Sequence, residues 1–189
     1  MDVDKIIYIN LAEATERDER MKVRLAHFPA DKVLRFEAIK HEKGYIGCSR
    51  SHIECLKLAM QNHWRNVLIL EDDAEWTGRG AECLQELLAN PYDVILLGST
   101  FCDVDSNHRV ISANATTAYI VNSHYYPRLL SNFTEGLERL IETDLYNTFA
   151  IDQFWKQLQK DRWFLVPMVI QTPGYSYIEK TYVDYTPYF

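Results

Sequence analysis

The sequence predicts an α/β chain built on a mostly parallel central sheet with helices on both faces, and three observations predict it. Short β-rich apolar runs alternate with segments whose apolar residues recur at helical spacing. The segments between strands are long enough for the crossover helices that parallel neighbours require. One run, Val-Leu-Ile-Leu over residues 67–70, is apolar at every position, as in a strand buried on both faces, and it stops on three consecutive acids, Glu71, Asp72 and Asp73. In open sheets of this class ligands bind at the carboxyl ends of strands, so the acids mark a candidate site.

The elements follow in order. Residues 6–11 are apolar and β-rich, and residues 16–28 carry Met21, Leu25 and Phe28 at helical spacing, a β-α start. Residues 33–39 read as a second strand, and Gly44 and Gly47 as a turn into a helix with Ile53, Leu56, Ala59 and Met60 on one face. Residues 63–66 end that helix before the strand that reaches the acids. A helix over residues 81–90, stopped by Pro91, precedes a strand over residues 92–97 that closes at Gly98. Residues 117–121 form a short strand. Ser123 is placed to cap a helix carrying Tyr126, Leu129 and Leu130, with Pro127 tolerated in its first turn. A helix over residues 151–160, a strand over residues 163–166 and an irregular, tyrosine-rich tail complete the pattern, with one domain over residues 1–189 as the expectation.

Composition limits the function classes. With 47% hydrophobic and 13% aromatic residues the chain is globular rather than disordered. Twenty Lys and Arg against 27 Asp and Glu give a net charge of −7, which argues against nucleic acid or an anionic membrane face as partner. No apolar run approaches the roughly 20 residues of a membrane span, and residues 1–5 do not open as a signal peptide does, so a soluble, cytoplasmic chain is expected. Cys48, Cys55, Cys83 and Cys102 form no Cys-x-x-Cys pair and each adjoins an apolar segment, so all four are expected as buried free thiols. Three crowded carboxylates repel one another and call for a cation nearby, and oxygen-only ligands suit a hard divalent ion such as Mg2+ or Mn2+.

Six blocks in order carry a family resemblance. Ile-Tyr-Ile-Asn-Leu over residues 7–11, followed by Arg-Asp-Glu-Arg-Met over residues 17–21, resembles the opening of glycosyltransferase family 25, the lipopolysaccharide-type and collagen-type galactosyltransferases. Gly-Tyr-Ile-Gly-Cys-Ser-Arg-Ser-His (residues 44–52), Leu-Ile-Leu-Glu-Asp-Asp-Ala (68–74), Tyr-Asp-Val-Ile-Leu-Leu-Gly (92–98), Ala-Tyr-Ile-Val (118–121) and Ile-Asp-Gln-Phe (151–154) resemble later blocks of the same family. The resemblance spans about residues 6–171 and implies a GT-A fold, a single nucleotide-sugar-binding domain. It implies transfer of a hexose, typically galactose from UDP-galactose, to a hydroxyl on a glycan or protein-linked acceptor, with inversion.

Set in that frame, the residues take roles. In an extended segment side chains at i and i+2 point the same way, which makes Glu71 and Asp73 co-ligands for Mn2+ or Mg2+ and turns Asp72 toward donor hydroxyls. Asp152 is the candidate base that deprotonates the acceptor. Asn10, at the end of the first strand, is placed to meet a base edge or to fix the loop that does, and Arg17 heads a basic stripe with Arg20 and Arg24 that either reaches phosphate or forms a solvated face with Glu16 as a partner of Arg20. His52 is expected in the donor pocket or orienting a neighbour, and Cys48 is expected to pack. Where family members carry an acid after the position of Gln171, this chain has Tyr177, which leaves water or Asp184 to complete a metal's shell. A catalytically weak nucleotide-sugar-binding module is the alternative.

Overall fold

A computed structural model describes residues 1–188 of the chain. Strand β1 (Lys5–Asn10) leads into helix α1 (Thr15–Leu25), which carries Glu16 and Asp18 in its first turn and Lys22 and Arg24 in its last, the signs that complement a helix dipole. Then come β2 (Val33–Glu37), α2 (Gly44–Gln61), β3 (Asn66–Glu71), β4 (Ala74–Trp76) and α3 (Ala81–Leu88). A long antiparallel pair, β5 (Val94–Val104) and β6 (Val110–Asn122), precedes α4 (Tyr126–Thr143), two single-turn helices α5 (Tyr146–Phe149) and α6 (Ile151–Phe154), and β7 (Trp163–Leu165). Three short strands follow, β8 (Val169–Gln171), β9 (Gly174–Ser176) and β10 (Thr181–Val183).

The central sheet has the order β2-β1-β3-β6-β5-β7, and β6 alone among these strands runs against the rest. Alternate residues of its strands feed two cores. Ile7, Ile69, Leu96 and Tyr119 point to the α2 and α4 side, where Leu56, Leu129, Phe133, Trp155 and Trp163 pack. Ile6, Leu68, Ile95 and Ile120 point to the other side, against Met21 and Leu25 of α1 and Leu84 of α3. Both faces are covered, which is why the run at residues 67–70 has no polar position. The mixed, mostly parallel α/β architecture is therefore as the alternating pattern predicts. Among the described residues no helix is long and apolar enough to cross a membrane.

Several local expectations change. Gly44 and Gly47 lie inside α2 rather than in a turn before it. A Cβ at Gly47 would overlap the Ile39 carbonyl oxygen, and one at Gly44 would come within 2.6 Å of the Tyr177 carbonyl oxygen. These glycines let chain on either side press against the helix. Gly47→Ala is accordingly expected to cost about 1–3 kcal/mol by overpacking, read as a lowered urea midpoint at unchanged slope.

The strand over residues 92–97 does not stop at Gly98. It continues to Val104 and pairs with a β6 of 13 residues, through register shifts that begin after Leu96. Residues 101–104 of this extension are exposed, so they carry no apolar pattern, and Cys102 is exposed rather than buried. Ser123 does not cap α4: residues 123–125 form a 3-10 turn that Asn122 caps, its side chain accepting from the His124 N–H, and Tyr125 stands at the start of α4. The helix over residues 151–160 splits into α6 and a 3-10 turn, and the tail expected to be irregular contributes β8 to a pairing with β4.

Candidate functional site

The carboxyl ends of β1 and β3 converge with α1, α2 and β8 around the three acids. β3 ends at Glu71, and Asp72 and Asp73 occupy the turn into β4. The i, i+2 alternation expected of Glu71 and Asp73 therefore does not extend past the strand, and the three side chains diverge. Glu71 turns toward α2 and β6, where its Oε1 accepts from the Thr116 hydroxyl at 2.5 Å and lies 3.3 Å from His52 Nε2. Burial pushes the Glu71 carboxyl up, but the hydrogen bonds and charge of His52, Thr116 and Arg17 together hold it below its ordinary value.

Asp72 turns toward α1. Its Oδ1 accepts from Arg17 Nη1 at 2.7 Å and its Oδ2 from Asn10 Nδ2 at 2.8 Å. Asn10 is itself buried and fully engaged: Nδ2 also donates to the Ala14 carbonyl at 3.1 Å, and Oδ1 accepts from Arg35. Its observed contacts hold the loop between β1 and α1, one of the two tasks a strand-end amide can perform.

Asp73 turns toward β8, accepting at Oδ2 from Gln171 Nε2 at 3.0 Å. Its Oδ1 is buried with no hydrogen-bond partner. Burial, then the charges of Glu71 and Asp72, push its carboxyl up to about 7. An oxygen in that state fits a bound cation.

Arg17 joins the parts. Besides Asp72 it lies 3.7 Å from Asp73 Oδ2, donates to the Tyr175 carbonyl at 2.7 Å, and sits under the Tyr177 ring. The tyrosine that stands where the resemblance expects an acid thus covers the guanidinium that faces two acids. Arg24, a turn and more along α1, donates to the Ala74 carbonyl and pairs with Glu75, whereas Arg20 is exposed. The basic stripe fastens α1 to the turn after β3. Asp184 is exposed and accepts from its own neighbour Thr186, so it is not brought to the acids.

Two cavities meet at Glu71. One, of about 190 Å³, has an apolar side made by Ile9, Leu11 and Ile39, and a polar side with Arg17, Lys40, His52, Asp72 and Asp73. The other, of about 230 Å³, is lined by Tyr45, Thr116, Tyr146, Asp152 and Gln153. Cys48, Glu71, Gln171, Ser176 and Ile178 belong to both walls.

Asp152, in α6, is held from an unusual direction. Ala115 within β6 has a φ of 69°, the left-handed region that non-glycine residues rarely adopt, in the irregular stretch of the β5–β6 pairing. Its N–H donates to Asp152 Oδ2 at 3.1 Å, and Gln153 Nε2 reaches the same oxygen. Burial raises the Asp152 carboxyl above its ordinary range, the Ala115 bond works against that, and the charge of Glu71 adds to it.

Sequence reasoning did not find Thr116, Tyr119, Ala115 or Gln171. Thr116 lies just before the strand expected over residues 117–121, Tyr119 belongs to a block read only as strand, and Gln171 lies in the tail read as irregular. Cys48 does not merely pack: its Sγ lies 4.0 Å from Glu71 Oε1 on the shared wall. Burial pushes its thiol well up. His52 lies well inside α2, fully buried, with Nδ1 2.8 Å from the Tyr119 hydroxyl. Trp155 and Trp163 are core.

No protein-family model matches the chain, and no curated protein matches it either. Solved structures do. A glycosyltransferase involved in the glycosylation of the major capsid of PBCV-1 aligns over 86% of this chain and 81% of its own at 10% identity and a TM-score of 0.55. A197 from STIV aligns over 95% of this chain and 93% of its own at 9% identity and a TM-score of 0.49. The chain has a GT-A-like α/β fold with a mostly parallel central sheet flanked by helices.

Proposed function

We propose that this chain is a nucleotide-sugar-dependent glycosyltransferase of the kind that glycosyltransferase family 25 exemplifies, moving a hexose, galactose from UDP-galactose by preference, to a hydroxyl acceptor with inversion. One observation carries the reading: Glu71 forms part of the wall between two cavities, one with the cations Arg17 and Lys40 beside an apolar slot, the other with the half-buried carboxylate Asp152. The first suits a nucleoside diphosphate and the second an acceptor.

In this reading Ile9, Leu11 and Ile39 take the base, and Arg17 and Lys40 face the diphosphate. Asn10 keeps the strand-end loop and Asp72 in place, and His52 positions Glu71. Glu71 and Asp73 would hold Mn2+ or Mg2+, an assignment favoured by the unpartnered Asp73 oxygen. When bound, such an ion neutralises the diphosphate leaving group. Asp152 takes the proton of the acceptor hydroxyl as that oxygen attacks the anomeric carbon and the bond to the nucleotide breaks, which inverts the centre.

The alternative, a nucleotide-sugar-binding module without transfer, draws support from Arg17, which already lies against Asp72 and Asp73 where a metal would compete with it. A screen of UDP-sugars with and without Mn2+ separates the two. A donor at 100 times its Kd adds about 2.7 kcal/mol, a rise in Tm of about 5–10 °C for a chain of this size. The transferase reading expects that rise with UDP-galactose together with Mn2+-dependent hydrolysis. A rise without turnover under any condition selects the binding module, and no rise with any UDP-sugar overturns both.

A further inference from the structure

Cys48 and His52 stand four residues apart on α2, so one helical turn brings both side chains to the same face, opposite Glu71 at the end of β3. Among the described residues these are the one group of three potential ligand side chains whose ligand atoms all lie within 4.8 Å of one another. The acidic triplet, for all its charge, does not form such a group.

The distances have meaning for a metal. A tetrahedral centre with bonds of about 2.0 Å to nitrogen and oxygen and about 2.3 Å to sulfur sets ligand edges of roughly 3.3 Å for N···O and roughly 3.5 Å for S···O. His52 Nε2 and Glu71 Oε1 are already 3.3 Å apart, and Cys48 Sγ is 4.0 Å from the same oxygen. Closing the sulfur edge takes about half an ångström by these figures, a small rotation of one side chain.

The surroundings are also those of a ligand set. The Tyr119 hydroxyl, 2.8 Å from His52 Nδ1, can accept from Nδ1–H and so leave the Nε2 lone pair free, the arrangement that orients histidines on metals. The Thr116 hydroxyl donates to Glu71 Oε1 and fixes that oxygen opposite His52 and Cys48. Cys48 and Glu71 both line the two cavities, so a fourth position opens toward solvent and ligand.

We propose that Cys48, His52 and Glu71 form a three-ligand site for a thiophilic divalent cation of the zinc class. A sulfur, a nitrogen and an oxygen select such an ion over Mg2+ or Mn2+, which prefer oxygen alone. The site is independent of the transferase reading. If both hold, the two ions compete for Glu71.

Cobalt(II) is the probe, added to the metal-free protein without any sugar nucleotide, followed by displacement with Zn2+ against a chelator of known affinity. One equivalent of Co2+ is expected to give a thiolate-to-cobalt charge-transfer band with tetrahedral ligand-field bands, lost on Zn2+ addition. Cys48→Ser removes the charge-transfer band, Cys102→Ser keeps it, and Tyr119→Phe keeps it while weakening Zn2+ by about 10–100-fold. Cys48→Ala gives the same answer should the serine variant fold poorly. A wild-type protein with no thiolate band, or a band that survives both Cys48 substitutions, overturns the site whatever the donor screen returns.

Discussion

Asp152→Asn is expected to lower kcat by about 10²–10⁴-fold, the range over which a positioned general base acts, with donor binding and Tm close to wild type. The amide keeps the shape of the carboxylate and its Oδ can still accept from the Ala115 N–H, so the left-handed stretch of β6 stays supported. What it loses is basicity. Donor affinity should hold because Asp152 lines the cavity on the far side of Glu71 from Arg17. Steady-state kinetics beside a donor thermal shift checks both halves, and turnover near wild type would remove Asp152 from the mechanism.

The same residue sets a pH dependence. The base works only deprotonated, so kcat/KM should be low in acid, rise through the folded-state pKa of Asp152 and level above it. Burial holds that pKa above the ordinary carboxylate value, so the acid limb is displaced upward from where an exposed aspartate would place it. In Asp152→Asn that limb disappears from the residual rate.

Arg17→Met is expected to have the largest effect on stability. Its guanidinium, mostly covered, donates to Asp72 at 2.7 Å and lies 3.7 Å from Asp73, and both acids are themselves nearly covered. Removing one partner of a buried pair leaves the other charge uncompensated, a loss of about 3–5 kcal/mol when burial is complete. Partial exposure here argues for the lower end, about 3 kcal/mol, or roughly 6–12 °C in Tm. Calorimetry of the single variant and of Arg17→Met with Asp72→Asn tests the cause: the second change should return much of the loss, because it deletes the stranded charge. Equal or additive losses would mean that Arg17 contributes packing alone.

The architecture was largely legible because its signal is repetitive. Two-sided burial writes an unbroken apolar run at residues 67–70 and helical spacing at Met21 and Leu25, and each is local. The acids announced the site for the same reason, as three charges on an apolar run. What stayed hidden depends on meetings between distant segments. Asp72 answers to Arg17 across 55 residues, Asp73 to Gln171 across 98, and Ala115 to Asp152 across 37. No spacing rule records such pairs. The alternation that was to orient the triplet does not hold for a simpler cause: it was carried two residues past the point where β3 becomes a turn. The exposed half of the β5–β6 hairpin was missed because backbone pairing there proceeds without apolar alternation.

The Tyr175 carbonyl that receives Arg17 lies 158 residues further along the chain. That span gives the two cavities a history as well as a shape. During synthesis β1, β2, β3, β5 and β6 can pair as soon as residue 122 has emerged, while the wall built from residues 171–178 is still unmade. Contacts of such long sequence separation form late, because the loop must close before any contact rewards it. Until then Asp73, just past the carboxyl end of β3, lacks its partner Gln171, and the side of the site that residues 171–178 line stays open. Order of assembly therefore matters here: five of the six central strands precede the segment that closes over the acids.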